Sequence, residues 1–212
     1  MSSIADIRRE YKLRSLTEKE AAHNAMEQFT SWWQDAFESQ IDEVNAMTLC
    51  TVTAGGKPDG RIVLLKGYDE NGFSFFTNYE SSKGRELEIN PYATLVFFWK
   101  EIERQVRING IVRQLTAAEN DAYYQSRPRG SQLGAWASPQ SHPIENRDVL
   151  ERKLNELHTQ YDGDLIPRPP HWGGYKLTPD SIEFWQGRPN RLHDRLLYTK
   201  ENGDWSFVRL AP

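Results

Sequence analysis

Five apolar segments separated by turn-forming clusters, all within residues 46–115, constrain the fold of this 212-residue chain more than any other feature. They are AMTLCTVT (46–53), RIVLLKGY (61–68), FSFFTN (73–78), YATLVFFW (92–99) and RQVRINGIVRQL (104–115). The connectors AGGKPDG and DENG are short and rich in Gly, Asp, Asn and Pro, so they predict hairpins and an antiparallel meander. In the fifth segment polar and apolar residues alternate, which means that one face is buried. GGYKLTPDSIEFWQ, RLHDRLLY and DWSFVRL supply the last strands after the rigid IPRPP segment.

Helical signals frame these strands. Thr17 and Glu20 have capping-box spacing, and Ala22, Met26, Phe29, Trp33 and Phe37 recur at helical intervals, which predicts an amphipathic helix from Thr17. A short helix is expected at 81–89. Thr116 with Glu119 opens another that runs to about Ser126 and is stopped by Pro128. A further helix from about Asn146 to Tyr161 carries Val149, Leu150, Leu154, Leu157 and Tyr161 on one face. Between them, RPRGSQLGAWASPQSH reads as a long loop, of a length that is often functional. The expected architecture is mainly β (α+β): an antiparallel barrel with helices packed outside, forming one domain over 15–212. The polar, basic segment 1–14 is expected to be mobile unless something docks it.

Several function classes fall away. With 26 Lys+Arg against 30 Asp+Glu, the net charge of −4 gives no bulk attraction to nucleic acid or to an anionic membrane. No apolar run approaches the roughly 18 residues that span a bilayer, and the start lacks a secretory core, so a soluble protein is expected. Cys50 is the only cysteine, which excludes a disulfide framework and points to a reducing, cytoplasmic setting. The five histidines are scattered without ligand-pair spacing, so no metal is expected. GSQLG is not a GxSxG nucleophile elbow, and AGGKPDG lacks the GK[ST] of a phosphate-binding P-loop.

A distributed set of basic and hydroxyl groups remains. Arg61, Lys66, Lys83, Tyr123, Arg127 and Ser131 suit phosphate, because Arg offers a bidentate fork, Lys a point charge, and Ser and Tyr neutral donors. Each alone reads more readily as a solvated surface group, by about three to one, and only co-location would change that. Arg61 and Lys66 lie five apart, so a regular strand would place them on opposite sides, one for each of two phosphates. In EFWQGRPNRLHDRLLY (183–198), Arg191, His193 and Arg195 alternate with Leu192 and Asp194. This is either an anion site on one strand face or a salt-bridged edge strand.

Taken with RREY (8–11), SSKG, YYQSRPRGSQLGAWAS, PPHWGGY, EFWQG, RLHDR and RLAP in order, these residues resemble the pyridoxine (pyridoxamine) 5′-phosphate oxidase family nearly end to end. The resemblance implies a split-barrel homodimer with flavin mononucleotide (FMN) at the subunit interface. It implies oxidation of pyridoxine or pyridoxamine 5′-phosphate by O2 to pyridoxal 5′-phosphate, releasing H2O2. Arg61, Ile62, Val63, Leu64, Leu65, Lys66, Phe76, Thr77, Lys83, Gln105, Gln140, Ser141, Trp185 and Arg195 would bind FMN. Ser82 stands where arginine is frequent in the family, implying a neutral hydrogen bond to the FMN phosphate and lower affinity. Lys66, Tyr123, Arg127 and Ser131 would hold the substrate phosphate, Arg191 and His193 would face its pyridine ring as the catalytic pair, and Arg8 with Tyr11 would close as a lid. Two rivals remain: a split-barrel reductase for other substrates, and a non-catalytic carrier of FMN or pyridoxal 5′-phosphate. The former has no use for Arg191 and His193, the latter none for a lid.

Overall fold

The computed structural model describes residue 4 and residues 10–212; Arg8 therefore lies outside the described residues. Nine antiparallel strands form one curled sheet, a split barrel. They are β1 (Ala46–Val52), β2 (Pro58–Leu64), β3 (Gly67–Asp69), β4 (Gly72–Asn78), β5 (Tyr92–Trp99), β6 (Arg104–Gln114), β7 (Trp172–Gln186), β8 (Asp194–Glu201) and β9 (Asp204–Arg209). Their order is β2-β1-β5-β6-β7-β4-β3, with β8 paired to β7 and β9 to β8. The 15-residue β7 organises the sheet. One edge runs along β6, while the other pairs with β4 over residues 172–177 and with β8 over residues 181–186.

Alternation separates two faces. The cross-strand row Phe97, Val106, Phe184 and Leu196 is fully buried. The next row, Phe98, Gln105, Trp185 and Arg195, points the other way, with Phe98 56% exposed. A bulge interrupts the register, because Asn109 faces Ser181 while Gly110 faces Pro179, leaving Asp180 as the extra residue. Buried apolar positions on β7 accordingly switch from Tyr175 and Leu177 to Ile182 and Phe184.

Helix α1 (Ala25–Glu38) covers the barrel core, setting Phe29 edge-on to Phe73 and Tyr68 at 4.8 and 4.9 Å between ring centroids. Burying such a phenyl ring stabilises the fold by about 1.5–3 kcal/mol. The helix does not start at Thr17. Thr17 Oγ1 does donate to Glu20 Oε2 at 2.8 Å, but the Ala22 amide donates to the Gln28 side chain and the Ala22 carbonyl accepts from Tyr198 Oη. These tertiary bonds take the groups a helix would need, and Asn24 caps the real start by accepting from the Met26 amide. Phe37, expected on the buried stripe, is 62% exposed.

The supposed loop at 127–142 contains a helix. Helices α3 (Ala117–Ser126), α4 (Arg129–Ala137) and α5 (Arg147–Gln160) build a second core from Tyr124, Leu133, Leu157, Ile166 and Trp172. Gly and Ser lower the helix propensity of α4, but Leu133 and Ala137 bury one face. The buried Gln132 amide donates to the carbonyls of Tyr124, Gln125 and Arg127, satisfying the end of α3.

RIVLLKGY is two strands rather than one. β2 begins inside the expected turn, at Pro58, and ends at Leu64. The Leu65 amide then donates to the Asn45 carbonyl and the Lys66 amide to the Ser74 carbonyl, which bends the chain from the β1 edge towards β4. RLHDRLLY is likewise divided, with β8 beginning only at Asp194. Pro189–Arg191 forms a 3₁₀ turn in which Asn190 and Arg191 have φ of 56° and 60°. Arg191, His193 and Arg195 therefore do not share one strand face. No helix among the described residues is long and apolar enough to cross a membrane.

Candidate functional site

A cavity of about 650 Å³, a size usual for small-molecule sites, opens between β2, β4 and the α3–α4 corner. Arg61, Ile62, Val63 and Leu64 line it from β2 together with Lys66, so Arg61 and Lys66 serve one cavity rather than opposite sides of a strand. The bend after Leu64 accounts for this difference. Leu65 turns inward instead, 5% exposed, with its amide bonded to Asn45 and its carbonyl accepting from the Asn45 side chain.

Arg61 is held by Asp59, Thr51 and Glu86, the last at 3.0 Å. Lys83, in the first turn of α2 (Ser82–Ile89), is 8% exposed and lies 3.3 Å from Ser81 Oγ. Burial, and secondarily the Arg61 charge, holds its ammonium below the ordinary lysine value. A nearby anion would relieve both effects. Ser82 is the first residue of α2, and Ser81 caps it by accepting from the Gly84 amide.

Across the cavity, Thr77 Oγ1 donates to Gln140 Oε1 at 3.1 Å. Phe76 stacks on Tyr123 with centroids 3.8 Å apart, and Trp172 lies nearly parallel to both. The glycine pair after Trp172 permits this slab, since a Cβ on Gly174 would come within 2.7 Å of Phe76 Cε1. The Arg127 guanidinium lies 4.4 Å from the Trp172 ring centroid. Its Nη1 is buried with no hydrogen-bond partner among the described residues, and burial lowers its pKa. Ser131, one helical turn further along the α3–α4 corner, completes a donor set of Lys66, Tyr123, Arg127 and Ser131. A guanidinium with one buried, unpaired nitrogen beside hydroxyls fits an anion with several acceptor oxygens.

A second cluster occupies the other end of the sheet. Trp185 faces Gln105 and Arg195 in register, and its ring lies 4.5 Å from that of His193. Tyr11 sets its ring edge towards Trp185 and His193 at 5.8 and 5.9 Å. His193 Nδ1 accepts from the Arg188 amide at 3.1 Å, leaving Nε2 as the ring's donor. Burial first, then Arg191, lowers the His193 pKa from 6.5. Arg195 donates to Glu183 at 2.8 Å and to the Ala211 carbonyl. Ser141 is exposed with φ of 68°, outside the cavity lining.

One chain does not join these clusters. Thr77 pairs with Gly173 at the start of β7, whereas Trp185 lies twelve residues on, roughly 40 Å by strand rise. Arg61 also shares its sheet face with the buried Leu49 and Leu95, opposite the face that carries Trp185. Trp172, Asn78 and Pro128 line the cavity without having been singled out in the sequence. The signal for Trp172 was the HWGG run, where an aromatic precedes two residues lacking Cβ.

Residues 33–161 match the family model for pyridoxamine 5′-phosphate oxidase, and residues 172–212 that for a pyridoxine 5′-phosphate oxidase C-terminal dimerisation region. The pyridoxine/pyridoxamine 5′-phosphate oxidases of Paraburkholderia phytofirmans and of a Cyanothece species are each 56% identical to the chain. The first match covers 100% of both chains and the second 99% of both. Among solved structures, PhzG from Burkholderia lata, in complex with tetrahydrophenazine-1-carboxylic acid, superposes with a TM-score of 0.88 at 30% identity, covering 94% of this chain and 99% of that one. An FMN-binding protein of Nostoc punctiforme shares the fold, with a TM-score of 0.72 at 18% identity over 90% of this chain and 100% of that one.

Proposed function

Because the chain belongs to the pyridoxamine 5′-phosphate oxidase family, we propose that it oxidises pyridoxine and pyridoxamine 5′-phosphates to pyridoxal 5′-phosphate. The observation that carries this reading is the buried, unpartnered Nη1 of Arg127 beside Tyr123 and Ser131, a site for a phosphate ester. Lys66 adds a cation to the same wall.

The residues present also fit FMN. Arg61 and Lys83 supply cations for its phosphate, and Ile62 to Leu64, Lys66, Phe76, Thr77 and Gln140 line the remaining surface. FMN held there would supply the redox chemistry, a two-electron oxidation of the substrate at C4′ with O2 as the final acceptor and H2O2 as its product. With the amine substrate the oxidised C4′ is an imine, and water adds to it to release ammonia and leave the aldehyde. The chain's own work is to hold the substrate phosphate and orient the pyridine ring, with Arg191 and His193 facing the C4′ group. We assign Gln105, Trp185, Arg191, His193 and Arg195 to the cavity of a second protomer, in a homodimer with FMN at the interface. The dimerisation-region match and the separation of the two clusters along β7 support this assembly.

The test is peroxide formation by the purified, FMN-loaded protein. Turnover with pyridoxamine 5′-phosphate and little with unphosphorylated pyridoxamine is expected; equal turnover with both removes the role of Arg127. The likeness to PhzG favours a second reading, oxidation of a reduced tricyclic carboxylic acid. Activity on tetrahydrophenazine-1-carboxylic acid in place of the phosphate ester would establish it.

A further inference from the structure

We propose that Glu103 is a positioning residue, whose buried carboxylate hooks the segment 11–16 and so holds Tyr11 against His193 and Trp185. Its functional consequence rests on the reading of the site above. Glu103 is 2% exposed, an unusual place for a carboxylate that pairs with no cation among the described residues. Its Oε2 accepts from two successive backbone amides, Lys12 at 2.9 Å and Leu13 at 3.0 Å. Two amides on one carboxylate oxygen form a charge-assisted clasp across about ninety residues of sequence.

The backbone at Glu103 gives a second line of argument. It sits in the left-handed region, φ 58° and ψ 39°, after the 3₁₀ turn Lys100–Ile102. Glycine adopts that conformation without the crowding of a Cβ, so local geometry alone would favour glycine here. The carboxylate clasp is what the side chain contributes. The carbonyl of the same residue accepts from the Gly187 amide at 2.7 Å and from the Gln186 side chain at 3.1 Å, which ties the clasp to the end of β7.

The receiving surface is shaped for Tyr11. A Cβ on Gly187 would lie 2.7 Å from Tyr11 Cγ, so the absence of a side chain there makes the seat. Further along the strap, Asp194 accepts from the Leu16 amide at 3.1 Å, and Arg188 donates to the Arg14 carbonyl at 3.0 Å. Each of these anchors borders the His193 cluster, so the strap delivers the Tyr11 ring to one wall of the proposed ring-binding site.

Glu103→Gly removes the carboxylate while suiting the backbone, Glu103→Gln keeps a neutral acceptor, and Gly187→Ala fills the Tyr11 seat with the carboxylate intact. In Glu103→Gly, hydrogen exchange at the Lys12 and Leu13 amides should quicken about tenfold or more, with β6 and β7 amides unchanged. Glu103→Gln should fall between this variant and wild type. In the FMN-loaded protein, KM for pyridoxamine 5′-phosphate should rise about tenfold in both Glu103→Gly and Gly187→Ala. Wild-type exchange at both amides in Glu103→Gly overturns the clasp. Freed amides with unchanged KM in both variants overturn its role at the site. If Glu103→Gly does not fold, exchange in Glu103→Gln and KM in Gly187→Ala decide the same two points. A wild-type protein inactive on pyridoxamine 5′-phosphate would refute the proposed function and with it the role at the site, while the exchange data would still decide the clasp.

Discussion

Arg127 lies over the Trp172 ring, its guanidinium carbon 4.4 Å from the ring centroid, and keeps one buried nitrogen without a partner among the described residues. The ring supports the guanidinium from one side, and its position decides where a phosphate can be gripped. Arg127→Ala should raise KM for the phosphorylated substrate by the worth of a hydrogen bond to a charged group, about 1.5–3 kcal/mol. Trp172→Phe, which retains a flat face, should cost less than Trp172→Leu. Steady-state kinetics with pyridoxamine 5′-phosphate check both, and an unchanged KM in Arg127→Ala removes the assignment.

Mixing two inactive variants tests the shared site. Arg61→Ala with Lys83→Ala damages one cluster, and Trp185→Ala with Arg195→Ala damages the other. Random reassociation of an equal mixture makes half the dimers heterologous, each with one intact site, so about a quarter of wild-type activity should return. Recovery of none would show that both clusters act within a single chain.

His193 carries a pH signature. Its folded pKa lies below the ordinary 6.5 because burial and then Arg191 disfavour the charged ring, with Asp194 opposing. The unfolded chain therefore binds the proton more readily, so this contribution to stability is present above 6.5 and lost as pH falls below it. For the same reason, the acid limb of kcat/KM that belongs to His193 should lie below pH 6.5 and vanish in His193→Asn. A limb unchanged by that substitution belongs to another group.

Gly174→Ala should destabilise the fold through the aromatic slab. The new methyl would meet Leu115 Cδ1 at 2.6 Å and Phe76 Cε1 at 2.7 Å, an overpacking that costs about 1–3 kcal/mol. Urea denaturation of the purified variant gives the value, and an unshifted midpoint shows that the slab can open.

The barrel was legible because alternation in segments such as 104–115 directly reports a half-buried strand. The capping box at Thr116 and Glu119 was legible because its two bonds are local. The same spacing at Thr17 and Glu20 misled, since distant Tyr198 and the Gln28 side chain claim the backbone of Ala22. Helix α4 was hidden for a related reason, as its stability comes from Gln132 bonding to α3 and from burial of Leu133 rather than from propensity. At the site, residue types pointed to phosphate, but co-location could not be read. Lys66 reaches the cavity through a bend set by Asn45 and Ser74, and neither partner is visible in local pattern.

The extra residue at Asp180 works as a phase inverter. Odd-numbered side chains of β7 face the core before it and even-numbered ones after it, whereas β6 keeps one parity throughout. Deleting that single position would exchange the two faces of half the strand, taking Phe184 out of the core and sending Glu183 and Trp185 into the apolar interior. A loop around this sheet can change length without turning any strand over. The middle of β7 cannot, because its residue count sets which way the second cluster looks.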